Sequence, residues 1–322
     1  MSIHFFYATG TSYVVNLFER ALSIAIQSGP DPKIVEGLNG FTALWDGLIP
    51  NDPFPSLLNQ QAWTTVKIGY PASAFPMLNS PLGLPGSINV GRDKMLAAIN
   101  ALPSGTPYCL GGYSQGAAVC TFTLQALRAA NSPKLADLKG AVMFGNPCRE
   151  TDKTWPAFGG LAGGQFSGRF DVPNSTTGGH GCFPSAYRLT STPETWFEFV
   201  GSRTHNIDII NSVGDQTNGT NVQAAANDLL TLGLGALPAV IFNSAKTTAL
   251  QAWSAFGDGG HVGYPFEPPP GYGENDPTSF QIALRYLESI AAQYSTAPIL
   301  LPSQPTTTAS AGWSTTLVPP AA

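Results

Sequence analysis

The chain has 322 residues, of which 43% are hydrophobic and only 11% charged, and its formal net charge is −5. That size and apolar share suit one large α/β domain, and the weak negative charge gives no electrostatic case for binding nucleic acid or an anionic membrane face. The 35 glycines and 28 prolines point to long turn-rich loops rather than a helical bundle, and no apolar run reaches the roughly 18 residues of a membrane span.

The first element in chain order is a strand over 3–7, apolar apart from His4 and closed by Ala8-Thr9-Gly10-Thr11-Ser12. A short apolar run ending in a glycine turn reads as a buried strand. No basic stretch precedes it, so the expectation is a chain made in a cytoplasm without a signal peptide. A helix follows at about 13–28, with Val15, Phe18, Leu22 and Ile26 at helical spacing. Residues 63–70 form a second strand candidate. Residues 87–101 are expected to be a helix capped by Ser87. Then come a strand at 108–112, a helix at about 115–130, a strand at 141–144 and a strand at 207–211. Strands separated by helices imply a mostly parallel sheet with helices on both faces.

Two regions break that rhythm. Residues 150–204, rich in Gly, Ser, Thr and Pro and dotted with aromatics, read as a long loop insertion, a lid or binding wall. Residues 221–256 read as a small helical cap. The catalytic domain is thus expected to span 1–296, followed by a low-complexity tail over 297–322. The four cysteines (Cys109, Cys120, Cys148, Cys182) are too few for a disulfide scaffold and read as core thiols. His180 and Cys182 are a pair of possible metal ligands without further partners, short of a zinc set, so no metal or cofactor is expected.

The chemistry centres on Gly112-Tyr113-Ser114-Gln115-Gly116. Gly-x-Ser-x-Gly alone is a weak pattern. Here an apolar strand precedes it and a helix-forming run follows, the strand-to-helix turn that lifts a serine oxygen above a sheet. Ser114 is therefore the candidate nucleophile, and the Gln115 N–H at the new helix's start is a candidate oxyanion donor. In such folds the triad runs Ser, Asp or Glu, then His along the chain. Asp215, after the 207–211 strand, is the favoured acid, with Asp208 its rival. His261, in the loop Gly257-Asp258-Gly259-Gly260-His261-Val262-Gly263-Tyr264, is the one histidine beyond Asp215 and so the candidate base. The second oxyanion donor is expected from the loop after the first strand, at Thr11.

With these residues in view, the sequence resembles the cutinase-like serine esterases and, among them, the lysin B mycolylarabinogalactan esterases of mycobacteriophages. The resemblance rests on Ile68-Gly69-Tyr70-Pro71-Ala72-Ser73-Ala74-Phe75-Pro76-Met77, on Gly112 to Ala117, on Phe144-Gly145-Asn146-Pro147-Cys148-Arg149, and on Gly214-Asp215 and His261 to Tyr264. It departs from them at Ala8-Thr9-Gly10-Thr11, which lacks a His-Gly start. The resemblance implies an α/β-hydrolase fold and a cofactor-free serine esterase. It further implies that the enzyme acts at the host envelope on mycolyl esters joining the mycobacterial outer membrane to arabinogalactan during phage lysis. Two alternatives stand beside it: a general cutinase or lipase-like carboxylesterase with no part in lysis, and a non-catalytic phage structural or envelope-binding protein on a hydrolase scaffold.

Overall fold

A computed structural model describes residues 2–10, 57–72, 77–79, 86–151, 180–200, 208, 264, 267–269 and 273–295. Its centre is a parallel sheet of five strands: β1 (Ile3–Ala8), β2 (Trp63–Lys67), β3 (Tyr108–Tyr113), β4 (Leu138–Phe144) and β5 (Trp196–Phe199), in the order β2-β1-β3-β4-β5. Among the described residues three helices pack on it: α1 (Ser87–Asn100), α2 (Gln115–Ala129) and α3 (Ser279–Tyr294).

Alternation of side chains along each strand divides the core in two. Phe6 and Leu110 face α1 and α2, joining Ile88, Met95, Val119 and Leu124. Phe5, Tyr7, Cys109, Val142 and Phe197 face the other way, against Tyr286, Leu287 and Ile290 of α3. A sheet covered on both faces needs apolar residues at consecutive positions, which is why β1 and β3 read as unbroken runs. In register, Ala8 lies beside Gly112 and Tyr113 beside Phe144. The carboxyl ends of β1, β3 and β4 thus share one edge, where ligands bind in open α/β sheets.

Six sequence expectations need correction or lie out of view. The 150–204 stretch is not all loop: Trp196–Phe199 within it is β5, paired with β4. Asp208, the single described residue of the expected 207–211 strand, is not in a strand. Ser87 does not cap α1. Gly86 holds the cap position with no side-chain cap bond, while the Ser87 hydroxyl donates to Gln115 Oε1 at 2.9 Å. The expected helix at 13–28, the cap at 221–256 and the tail at 297–322 fall outside the described residues.

The sequence reading also passed over α3, which starts at a capping box. Thr278 Oγ1 accepts from the Gln281 N–H, and the Gln281 side chain accepts from the Thr278 N–H. Helix α3 covers β5 directly, with the Phe197 and Tyr286 rings 4.2 Å apart between centroids.

If this packing joins β5 to the core, Phe197→Ala should lower the unfolding free energy by about 3–5 kcal/mol in denaturant titrations. Leu57→Ala, at a side chain 41% exposed, should change it by less than about 0.5 kcal/mol.

Candidate active site

β3 ends at Tyr113 and α2 begins at Gln115, so a single residue makes the turn. That residue, Ser114, has φ 53° and ψ −120°, a conformation that costs a non-glycine residue about 1–3 kcal/mol. Two ladders hold it there. The Ser114 N–H donates to the Phe144 carbonyl at 2.8 Å, and the Ser114 carbonyl accepts from the Ala117 N–H at 3.0 Å. The flanking glycines are required by space. A β-carbon on Gly112 would lie 2.5 Å from Ala117 Cα, and one on Gly116 would collide with the Ala8 carbonyl oxygen. The strand-to-helix turn expected from the sequence is therefore present at Ser114.

Gln115 is the first residue of α2, whose N-terminal N–H groups form the positive end of the helix dipole. Its side chain is buried and tied to Ser87 at the start of α1. The loop after β1 runs beside it. A β-carbon on Gly10 would lie 3.1 Å from Ser114 Cβ. The Thr9 carbonyl accepts from the Tyr70 hydroxyl at 2.5 Å, which gives Tyr70 a task in fixing this loop. Thr11 itself lies outside the described residues, as do Asp215 and His261.

Asp208 is fully buried. Its N–H donates to the Val200 carbonyl at 2.9 Å, directly after β5. Its Oδ2 accepts from the Tyr264 hydroxyl at 2.5 Å. Burial pushes the Tyr113 phenol well above its usual range, and the nearby Asp208 charge adds to the push. Asp208 is thus a neighbour of the residue that precedes Ser114. Tyr264, three residues beyond His261, packs its ring on Phe144 at 5.5 Å and accepts from the Phe280 N–H through its carbonyl. The rival acid is therefore held at the same sheet edge as Ser114, next to the segment that follows the candidate base.

A second buried polar group had no sequence signal. Glu198 of β5 accepts from Asn146 Nδ2 at 2.8 Å and Trp196 Nε1 at 3.1 Å. Asn146 also accepts from the Cys148 N–H at 2.9 Å. Burial raises the Glu198 carboxyl to about 7, against the opposing pull of the Asn146 bond, Arg149 and the Trp196 bond. Of the other histidines, His4 lies in β1 and His180 Nδ1 is 2.8 Å from the Gly181 carbonyl oxygen. His205 lies outside the described residues. Among the described residues no group of three His, Cys, Asp or Glu is placed to hold a metal ion.

The raised Glu198 carboxyl carries a sign. A carboxyl with a higher pKa in the folded state binds its proton more tightly there, so its contribution is present below about pH 4.5 and lost as pH rises through about 7. Relative to Glu198→Gln, the wild-type chain should therefore lose about 3 kcal/mol of stability between pH 5 and 8, read from denaturant midpoints across that range.

No curated protein sequence matches the chain. Three similar solved structures are lysin B from mycobacteriophage D29, a cutinase-like protein from Cryptococcus sp., and an acetyl xylan esterase. The first is 16% identical, covers 89% of this chain and 98% of its own, and has a TM-score of 0.47. The second is 15% identical, covers 71% and 92%, and scores 0.35. The third is 16% identical, covers 71% and 96%, and scores 0.31. Residues 51–185 match the family model described as Cutinase, and the parallel sheet with flanking helices and its turn at Ser114 is an α/β-hydrolase fold.

Proposed function

We propose that the protein is a serine carboxylic-ester hydrolase that cleaves long-chain acyl esters of the mycolyl class. The observation that carries the reading is Ser114 held at positive φ between β3 and α2, where its side chain crowns the carboxyl edge of the sheet. The match of residues 51–185 to the cutinase model supports the same chemistry.

In this reading His261 takes the Ser114 proton as the hydroxyl attacks the ester carbonyl. The Gln115 N–H and a first-loop N–H, at Thr11, stabilise the oxyanion. The alcohol leaves with the proton that His261 returns, and water deacylates the enzyme by the same route. General base assistance contributes about 10²–10⁴ in rate and each oxyanion donor about 10²–10³.

Two aspartates compete to orient His261. Asp215 is favoured by chain order after a strand read at 207–211. Asp208 is favoured by its burial, by its N–H bond to the Val200 carbonyl just after β5, and by its bond to Tyr264, three residues past the base. A buried carboxylate beside the nucleophile's neighbour fits the orienting role better, and we assign it to Asp208.

The mycolyl class rests on the Tyr70-Pro71-Ala72-Ser73-Ala74-Phe75-Pro76-Met77 resemblance. It places the work at the mycobacterial envelope during phage lysis, after synthesis in the host cytoplasm.

Ser114→Ala should reduce turnover of a p-nitrophenyl acyl ester by at least about 10³-fold, and undiminished turnover would defeat the assignment. Asp208→Asn should cut kcat by about 10³–10⁴-fold with KM nearly unchanged, whereas Asp215→Asn should stay within about threefold of wild type. The reverse pattern would return the role to Asp215. Free mycolic acid released from purified cell wall supports the lysis reading. Hydrolysis of small esters alone would favour a general cutinase-like esterase.

A further inference from the structure

We propose that Cys148 and Cys182 are partners in a disulfide that staples the segment before β5 to the end of β4. The structure holds both as buried thiols, and three observations pair them.

The first is register. The Gly181 N–H donates to the Arg149 carbonyl at 3.1 Å, and the Phe183 N–H donates to the Pro147 carbonyl at 2.9 Å. These bonds run antiparallel and bracket Cys148 opposite Cys182. Cys148 sits in a turn and Cys182 in a bend, neither in a strand, and the two bonds bring them face to face between the segments. Disulfides need Cα separations of about 4.4–6.8 Å.

The second is the face. Both cysteines lie in the core cluster on the α1 and α2 side of the sheet, with Phe183 and Leu189. Each is close enough that the Cys182 thiol adds to the upward push that burial gives Cys148. The third is the glycine that makes the first of these bonds. A β-carbon on Gly181 would collide with the Pro147 carbonyl, so the two segments approach closely because residue 181 has no side chain.

The other two cysteines pair with neither. Cys109 faces the α3 side of the sheet, and the Cys120 thiol donates to the Gly111 carbonyl at 3.2 Å.

The bond forms by thiol–disulfide exchange with a low-molecular-weight disulfide. One cysteine thiolate attacks it, releasing one small thiolate and leaving a mixed disulfide. The second cysteine thiolate then attacks the protein sulfur of that mixed disulfide and expels the other small thiolate. Two protein thiols are oxidised and one disulfide is reduced to two thiols. Burial pushes both thiols up, which suppresses the thiolate in the folded state. The exchange therefore belongs to chain whose core is still open, after it leaves the reducing cytoplasm in which it is made.

The chain is refolded from guanidinium with reduced and oxidised glutathione, or with a phosphine reductant. Thiols are then counted under denaturing conditions and linked peptides mapped by mass spectrometry. The expected result is two thiols after glutathione refolding against four after reduction, a peptide joining Cys148 to Cys182, and a Tm about 5 °C higher for the oxidised form. Cys182→Ser should give no linked peptide and no Tm difference between the two conditions. Because refolding can fail outright, the same count is made on chain secreted to a bacterial periplasm and never unfolded before isolation. Four titratable thiols in the oxidised samples, or a bond joining any other pair, overturns the proposal.

Discussion

At the end of β3 the backbone must turn from strand to helix across one residue, and almost every described element contributes to holding that turn. The positive φ of Ser114 is unfavourable in isolation. It persists because the Phe144 carbonyl takes its N–H, because β1 presses against Gly116, and because α2 crosses above Gly112. The three strands that meet there, β1, β3 and β4, are buried on both faces along their carboxyl-terminal halves. Rigidity at Ser114 is thus inherited from a core packed on two sides, and the strain is confined to the residue whose oxygen has to be exposed.

The polar groups behind the turn extend this logic. Ser87 ties α1 to Gln115, and Tyr70 ties the β2–α1 connection to Thr9. The first holds the side chain of the residue after Ser114 and the second a carbonyl of the loop beside it, rather than the nucleophile itself. Asn146 and Glu198 join the end of β4 to β5 in a region where an unpaired polar atom is expensive. Asp208 and Tyr264 then link the peptide after β5 to the segment entering α3. Side chains from distant stretches of sequence converge on one sheet edge through these few bonds.

Much of this was legible in the sequence. Apolar runs marked β1, β3 and β4, and the helical spacing after Ser114 marked α2, because burial on both faces leaves no polar position to blur the pattern. β5 was hidden. It is four residues long, contains Glu198, and sits in a stretch of Ser, Thr and Pro that reads as loop. The apolar run at 207–211 drew the reading instead, and of that run only Asp208 is among the described residues, outside any strand. Glu198 could not be foreseen as a core residue, since one of its partners, Asn146, arrives from the turn after β4, 52 positions away in sequence. Helix α3 did carry a signal, Thr278 and Gln281 at capping-box spacing, which periodicity alone did not bring out.

The central claim is that Ser114 is an activated nucleophile, and covalent capture tests it most directly. Folded protein is treated with a fluorophosphonate and the modified peptide located by mass spectrometry. The expected result is a single adduct on Ser114, formed rapidly in the folded chain, absent after unfolding, and slowed in Asp208→Asn. No adduct on the folded protein, or one on a different residue, would contradict the account.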